Sequence, residues 1–196
     1  MFHWIESIAL EHGVLKNLRY HQKRLDRTLE YFGGTSISLN KVLNGVVLPV
    51  LGYYKVRVLY SVAGVLDISV DNYLPKCFKT FEMVEATDID YSFKYANRDV
   101  LVNLKRCSTA DEIIITQNGL ITDTTFSNLI FLRGGEWYTP TSVLLKGTQR
   151  ALLLEQDKIK EAIISVDNIA SFTHFKLINA MLSIDNSPVY SVNQIR

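Results

Sequence analysis

The sequence predicts an α+β chain of two domains, a small antiparallel-sheet domain over residues 1–88 and a larger β-rich domain over residues 89–196. Three observations carry this expectation. Helical spacing of apolar residues is confined to a few separated windows. Runs of β-branched and aromatic residues are joined by tight turn signals, so neighbouring strands pair locally by hairpins. With 196 residues, 47% of them hydrophobic, the chain also has enough apolar material for a sizeable core.

Trp4–Leu10 alternates as a strand, His12-Gly13 signals a turn, and Val14-Leu15 begins a return strand. Leu18, His21, Leu25, Leu29 and Phe32 then recur at three- and four-residue spacing, with Asn17 able to cap and Gly33-Gly34 to terminate, which predicts a helix. A second helix is expected over Lys41–Leu51, capped by Ser38 or Asn40. Tyr53–Ser61 and Val65–Val70 read as a hairpin turning at Ala63-Gly64, and Lys79–Ala86 as a further strand, which sets the domain limit near Asp88-Ile89-Asp90. In the second half, Tyr91-Ser92-Phe93-Lys94 ends a strand. A helix follows over Asn97–Cys107, with Val100, Leu101, Leu104 and Cys107 on one face. Glu112–Thr116 and Leu120–Thr122 flank the type I′ signal Asn118-Gly119, and Leu129–Leu132 and Glu136–Tyr138 flank Arg133-Gly134-Gly135. Thr148–Gln156 reads as a helix, and Ala162–Val166 and Phe175–Ala180 as closing strands around a short helix.

Charge narrows the function classes. The 21 basic and 20 acidic side chains leave a net charge of +1 without a long block of one sign, so the electrostatic footprint of a nucleic-acid binder is lacking. Cys77 and Cys107 stand alone, outside any zinc or disulfide spacing, and are expected to be buried thiols in a reducing compartment. Met1-Phe2-His3-Trp4-Ile5-Glu6 lacks the basic and apolar regions of a signal peptide, and no apolar run approaches bilayer length. A cytoplasmic protein is expected.

Several residues could carry chemistry. Asp123, in Ile121-Thr122-Asp123-Thr124-Thr125-Phe126-Ser127-Asn128, stands where an apolar run meets a cluster of hydroxyls, and a carboxylate there either asks for a cation or satisfies local turn amides. Lys94 lies in the aromatic setting Tyr91-Ser92-Phe93-Lys94-Tyr95, where partial desolvation would enlarge its neutral, nucleophilic fraction. By residue type alone a solvated lysine at a strand end is the commoner case. Arg24 is read either as an anion ligand or as a solvated arginine on an amphipathic helix. Gly147-Thr148-Gln149 opens a helix whose first amides suit an anion, or makes a plain strand-to-helix turn.

Taken together, these segments resemble the fold-type IV pyridoxal-phosphate (PLP) enzymes, the class IV aminotransferases and aminodeoxychorismate lyase. Ile5-Glu6-Ser7-Ile8 is similar to the family's Phe-Glu-Thr-Ile, His21-Gln22-Lys23-Arg24-Leu25 to His-x-x-Arg-Leu, and Lys94-Tyr95-Ala96-Asn97-Arg98 to Lys-x-x-Asn-Arg. Ala110-Asp111-Glu112 and Ser127-Asn128-Leu129 match further segments, and the likeness runs to Pro188-Val189. The resemblance implies the two-domain fold of D-amino-acid aminotransferase and an aldimine between Lys94 and PLP. It implies Asp123 as partner of the pyridine nitrogen, one methylene shorter than the usual glutamate. Arg24, Gly147, Thr148, Gln149, Asn179 and Ala180 are implied around the phosphate. Gln149 and Ala180 replace hydroxyl residues, so backbone amides, or Ser183, must compensate. Arg57 and Arg98 are candidates for a substrate carboxylate, and Asn128 for holding the loop after Asp123.

The implied reaction is that of aminodeoxychorismate lyase, which eliminates pyruvate to give 4-aminobenzoate for folate synthesis. The short chain and the Lys-x-x-Asn-Arg segment favour it. The alternative within the family is transamination of branched-chain or D-amino acids, and outside it a non-catalytic interaction protein on the same fold. A homodimer with a shared active site is implied, the more so because the family's Gly-Asp-Gly segment precedes the point where this chain starts.

Overall fold

The computed structural model describes residues 2–196; Met1, at the head of the segment read for a targeting signal, lies outside them. By packing, the described residues divide into two units, one of residues 2–75 with 93–97 and one of residues 76–92 with 98–196. The division falls earlier than the predicted limit at Asp88–Asp90. Lys94, expected in the second domain, packs with the first.

In the first unit, β1 (Trp4–Glu11) turns through His12-Gly13 into β2 (Val14–Leu15), followed by α1 (Leu18–Phe32), α2 (Leu39–Asn44), β3 (Tyr53–Ser61) and β4 (Gly64–Asn72). The four strands form an antiparallel sheet in the order β2-β1-β3-β4. Trp4, Ile8 and Leu10 of β1 pair across to Tyr60, Val56 and Tyr54 of β3, and with Val58 and the α1 residues Leu25 and Leu29 they build one apolar core. Alternation puts Glu6 in that same row, opposite Val58.

Three local expectations are corrected here. Asn17 stands at the N-cap of α1 with φ 55°, but its side chain makes no capping hydrogen bond. The second helix ends at Asn44 instead of continuing to Leu51, since Gly45, two β-branched valines and the Leu48-Pro49 pair follow and disfavour helix. Lys94 does not end a strand. Its segment is irregular and lies along β1, with Ile5 N donating to Lys94 O at 3.0 Å, Ala96 N to His3 O at 2.8 Å, and a bridge pairing Trp4 with Tyr95.

The second unit holds β5 (Phe81–Glu85), α3 (Asp99–Arg106), β6 (Glu112–Gln117), β7 (Leu120–Thr124), β8 (Asn128–Arg133), β9 (Glu136–Pro140), α4 (Thr148–Glu155), β10 (Lys160–Ala162), β11 (His174–Ile178) and β12 (Tyr190–Ser191). All eight strands belong to one sheet, with β8 pairing to β7, β9 and β11. Most pairs are antiparallel, but β5 runs parallel to β6 and β10 parallel to β9. The parallel pairing of Phe81–Glu85 with Glu112–Thr116 draws β5 out of the first unit, to which hairpin reasoning had given it.

The Asn118-Gly119 turn has the two positive φ values, 50° and 73°, that a type I′ hairpin requires. Side-chain alternation along β8 sends Leu129 and Phe131 into an aromatic core with Phe81, Phe172, Phe175 and Tyr190, and Ile130 into a smaller core with Leu153 of α4. The predicted apolar face of α3 is narrower than expected: Leu101 is buried, whereas Val100 and Cys107 are exposed. Both cysteines are exposed, contrary to the buried thiols expected, because Cys107 caps the end of α3 and Cys77 lies in an irregular segment before β5. No helix among the described residues is long and apolar enough to cross a membrane.

Candidate active site

In the first unit the chemistry gathers on the face of β1 that meets α1. Glu6, fully buried, accepts from Arg24 twice, Nε to Oε1 at 2.9 Å and Nη2 to Oε2 at 2.5 Å, and faces His21 Nδ1 at 2.6 Å from Oε2. His21 and Arg24 are one helical turn apart on α1, so both reach the same strand residue. Burial alone would raise the Glu6 carboxyl; the Arg24 charge and the hydrogen bonds from His21 and Arg24 outweigh it and hold the group at about 2. Burial pushes His21 below its ordinary value against the pull of Glu6, so the ring is neutral at pH 7. A carboxylate only accepts, and the proton therefore sits on Nδ1.

Arg24 is thus not a solvated helix arginine. Lys94, half-buried, is close enough for its charge to act on His21, and its backbone is fixed by β1 as described. Arg57 sits half-buried on β3, opposite Ser7 of β1 and Ser69 of β4, on the sheet face away from the apolar core.

In the second unit Asp123 is the penultimate residue of β7, 5% exposed, directly across from Asn128 at the start of β8. Its Oδ1 accepts from Asn128 Nδ2 at 2.6 Å and its Oδ2 from Leu145 N at 2.8 Å. Burial lifts this carboxyl from the ordinary 3.8 to about 7, and the donors at Leu145 and Asn128 and the charge of Arg150 only partly restrain it. The hydrogen bonds orient the group without fully compensating the buried charge. A cation set against it would complete the compensation, and a carboxylate with two donors still has acceptor capacity.

Asn128 also donates to Leu145 O at 2.8 Å, and its Oδ1 lies so close to Gly147 that a β-carbon there would overlap it. Glycine at 147 is therefore a packing requirement. Gly147 is the N-cap of α4, and Thr148 and Gln149, both buried, form its first turn, where amides have no acceptor inside the helix and the dipole favours an anion. Asn179 folds a tight turn with Leu182 that carries Ala180 near its tip, and its Nδ2 donates to Ser127 Oγ at 2.8 Å. Arg98 donates from Nη2 to Thr125 O at 2.6 Å, and the buried Glu112 accepts from Thr125 Oγ1 at 3.1 Å. Arg98 so helps hold the loop that follows Asp123.

The second unit therefore brings Asp123, Asn128 and Gly147 into one hydrogen-bonded and close-packed group, with Asn179 tied to the adjoining Ser127. The first unit brings Arg24 to Glu6 and His21, and Lys94 to the same strand. Within the second unit, the buried Asp123 carboxylate suits a protonated ring nitrogen and the start of α4 suits an anion such as a phosphate. Sequence reading passed over Glu6 and His21, which it counted within a strand and an apolar helical row. The available signal was a carboxylate in the inward-facing row of β1 opposite a His-x-x-Arg helix.

Comparison with known proteins gives the same direction. The family described as amino-transferase class IV matches residues 81–187. A Haemophilus influenzae protein without an assigned function is 37% identical over 186 residues, covering 92% of this chain and 98% of its own. A crystal structure from Haemophilus somnus 129pt, provisionally named a 4-amino-4-deoxychorismate lyase, is 34% identical, with a TM-score of 0.87 over 94% of this chain and 98% of that one. A hypothetical aminotransferase of Mycobacterium tuberculosis, solved with PLP bound, shares the fold at 13% identity, with a TM-score of 0.78 over 99% of this chain and 81% of its own.

Proposed function

The chain belongs to the class IV aminotransferase family, and from that premise we propose that it is a PLP-dependent lyase acting in the cytoplasm as a homodimer. Its substrate in this reading is 4-amino-4-deoxychorismate, which it splits into pyruvate and 4-aminobenzoate. The observation that carries the cofactor reading is the buried Asp123 carboxylate, oriented by Asn128 and Leu145 and short of one cation. The near full-length similarity to the Haemophilus somnus protein favours the lyase over transamination.

When bound, PLP supplies an electrophilic carbonyl for amines and a conjugated ring that spreads the electron pair left by a breaking bond. The chain's residues do the rest. Asp123, as an anion, holds the proton on the ring nitrogen. The first-turn amides of α4 and the guanidinium of Arg24, whose Nε–Nη2 edge is already held by Glu6, are the groups assigned to the phosphate, with Asn179 shaping the turn next to Ser127. Lys94 Nζ would hold the cofactor covalently, and as a neutral amine it could take a proton from a substrate carbon. Arg57 and Arg98 are the residues assigned to a substrate carboxylate, Arg98 while it also holds Thr125.

Incubation with PLP and 4-amino-4-deoxychorismate should release pyruvate and 4-aminobenzoate in equal amounts, and Lys94→Ala should abolish both. Oxo-acid release from amino acids without 4-aminobenzoate would replace the lyase with an aminotransferase. PLP binding with neither product would leave a binding protein. Light scattering should give twice the 22.3 kDa of one chain.

A further inference from the structure

Glu6 and His21 have no role in the proposed reaction, yet the buried cluster they form with Arg24 is costly. A carboxylate and a guanidinium withdrawn from water repay their desolvation only with good geometry, and an apolar trio of similar volume would serve a core as well or better. The geometry here is specific. Two parallel bonds from Nε and Nη2 fix the plane of the Arg24 fork, and His21 Nδ1 occupies the Oε2 side of the same carboxylate. Glu6 is held in turn by β1, whose neighbouring residue Ile5 donates to the carbonyl of Lys94 at 3.0 Å, with His3 and Trp4 bridging to Ala96 and Tyr95. One strand thus carries both the group that orients Arg24 and the backbone of Lys94.

We propose that Glu6 is a positioning residue: it fixes the Arg24 guanidinium relative to Lys94, so that a ligand joined covalently at Lys94 meets Arg24 with its phosphate. The inference rests on the PLP reading above and adds to it a residue that touches neither the reacting atoms nor the ligand. It separates two properties that a merely structural role would keep together, the reactivity of Lys94 and the preference for a phosphorylated aldehyde.

The test compares PLP with pyridoxal, which has the same aldehyde and ring but no phosphate. Each is titrated into the full-length protein, fixed with borohydride and quantified on the Lys94 peptide. Wild type should prefer PLP, and Glu6→Gln should lower that preference on the order of tenfold while pyridoxal trapping at Lys94 stays near the wild-type level. Glu6→Asp keeps the buried charge but draws the acceptor back by a methylene, and should lower the preference as well; it serves if the glutamine variant does not fold. An unchanged preference in the folded variants overturns the proposal, as does an equal loss of both aldehydes. If wild type traps neither aldehyde, the PLP reading itself fails, a result distinct from either of those.

Discussion

Asp123→Asn tests the uncompensated charge directly. In the folded apoprotein the Asp123 carboxyl sits at about 7 against an ordinary 3.8, a difference of roughly three units. At 1.36 kcal/mol per unit this amounts to ~4 kcal/mol. The sign follows from proton binding. The folded state keeps its proton where the unfolded chain has released it, so the contribution is complete below the unfolded value and is lost as pH rises through about 7. Glu6, held at about 2, works oppositely: its contribution is present above its ordinary 4.5 and is lost as pH falls toward 2. His21, pushed down by burial, costs stability where the unfolded chain would be protonated, below its ordinary 6.5.

The difference between wild type and Asp123→Asn cancels the terms of Glu6 and His21. Asparagine has no charge to bury but offers a single acceptor to the two donors Asn128 and Leu145, a pH-independent cost of ~1–3 kcal/mol. Urea unfolding of the apoproteins, read from Trp137 of β9 in a Trp4→Phe background, should show wild type losing up to ~4 kcal/mol relative to the variant from pH 4 to pH 8. Saturating PLP should remove the slope from wild type. Parallel pH curves for the two proteins would refute the reasoning.

Two further substitutions probe the frame. Gly147→Ala drives a methyl group into Asn128 Oδ1 and should cost about 1–3 kcal/mol in unfolding experiments, while weakening PLP retention measured by equilibrium dialysis. Arg24→Met leaves the Glu6 carboxylate buried beside His21 alone. Thermal or urea unfolding should register a loss of about 3–5 kcal/mol at neutral pH that shrinks as Glu6 becomes protonated in acid.

The first sheet was legible because its signals are local. Alternation in Trp4–Leu10, the helical row from Leu18 to Phe32 and the Ala63-Gly64 turn each need only neighbouring residues, and the structure follows them closely. Pairing at long range was not legible. Nothing in Phe81–Glu85 tells that its partner is the parallel Glu112–Thr116 strand, and a domain limit placed by sequence proximity therefore missed the actual division at Pro75. The site divides similarly. Asp123, Asn128 and Gly147 could be singled out by residue type and resemblance, but the contact that makes Gly147 obligatory depends on how β8 meets the start of α4. Glu6 escaped notice because a charged residue in a strand is ordinarily assigned to the solvent face, although alternation sets it in the inward row of Trp4, Ile8 and Leu10, opposite Val58.

The central claim is that Lys94 anchors PLP. Borohydride reduction of the purified protein saturated with PLP, followed by peptide mass mapping, should place a single stable pyridoxyl-phosphate adduct on Lys94, and Lys94→Ala should carry none. An unmodified Lys94 in folded protein, or equal modification scattered over the other lysines, would contradict the account.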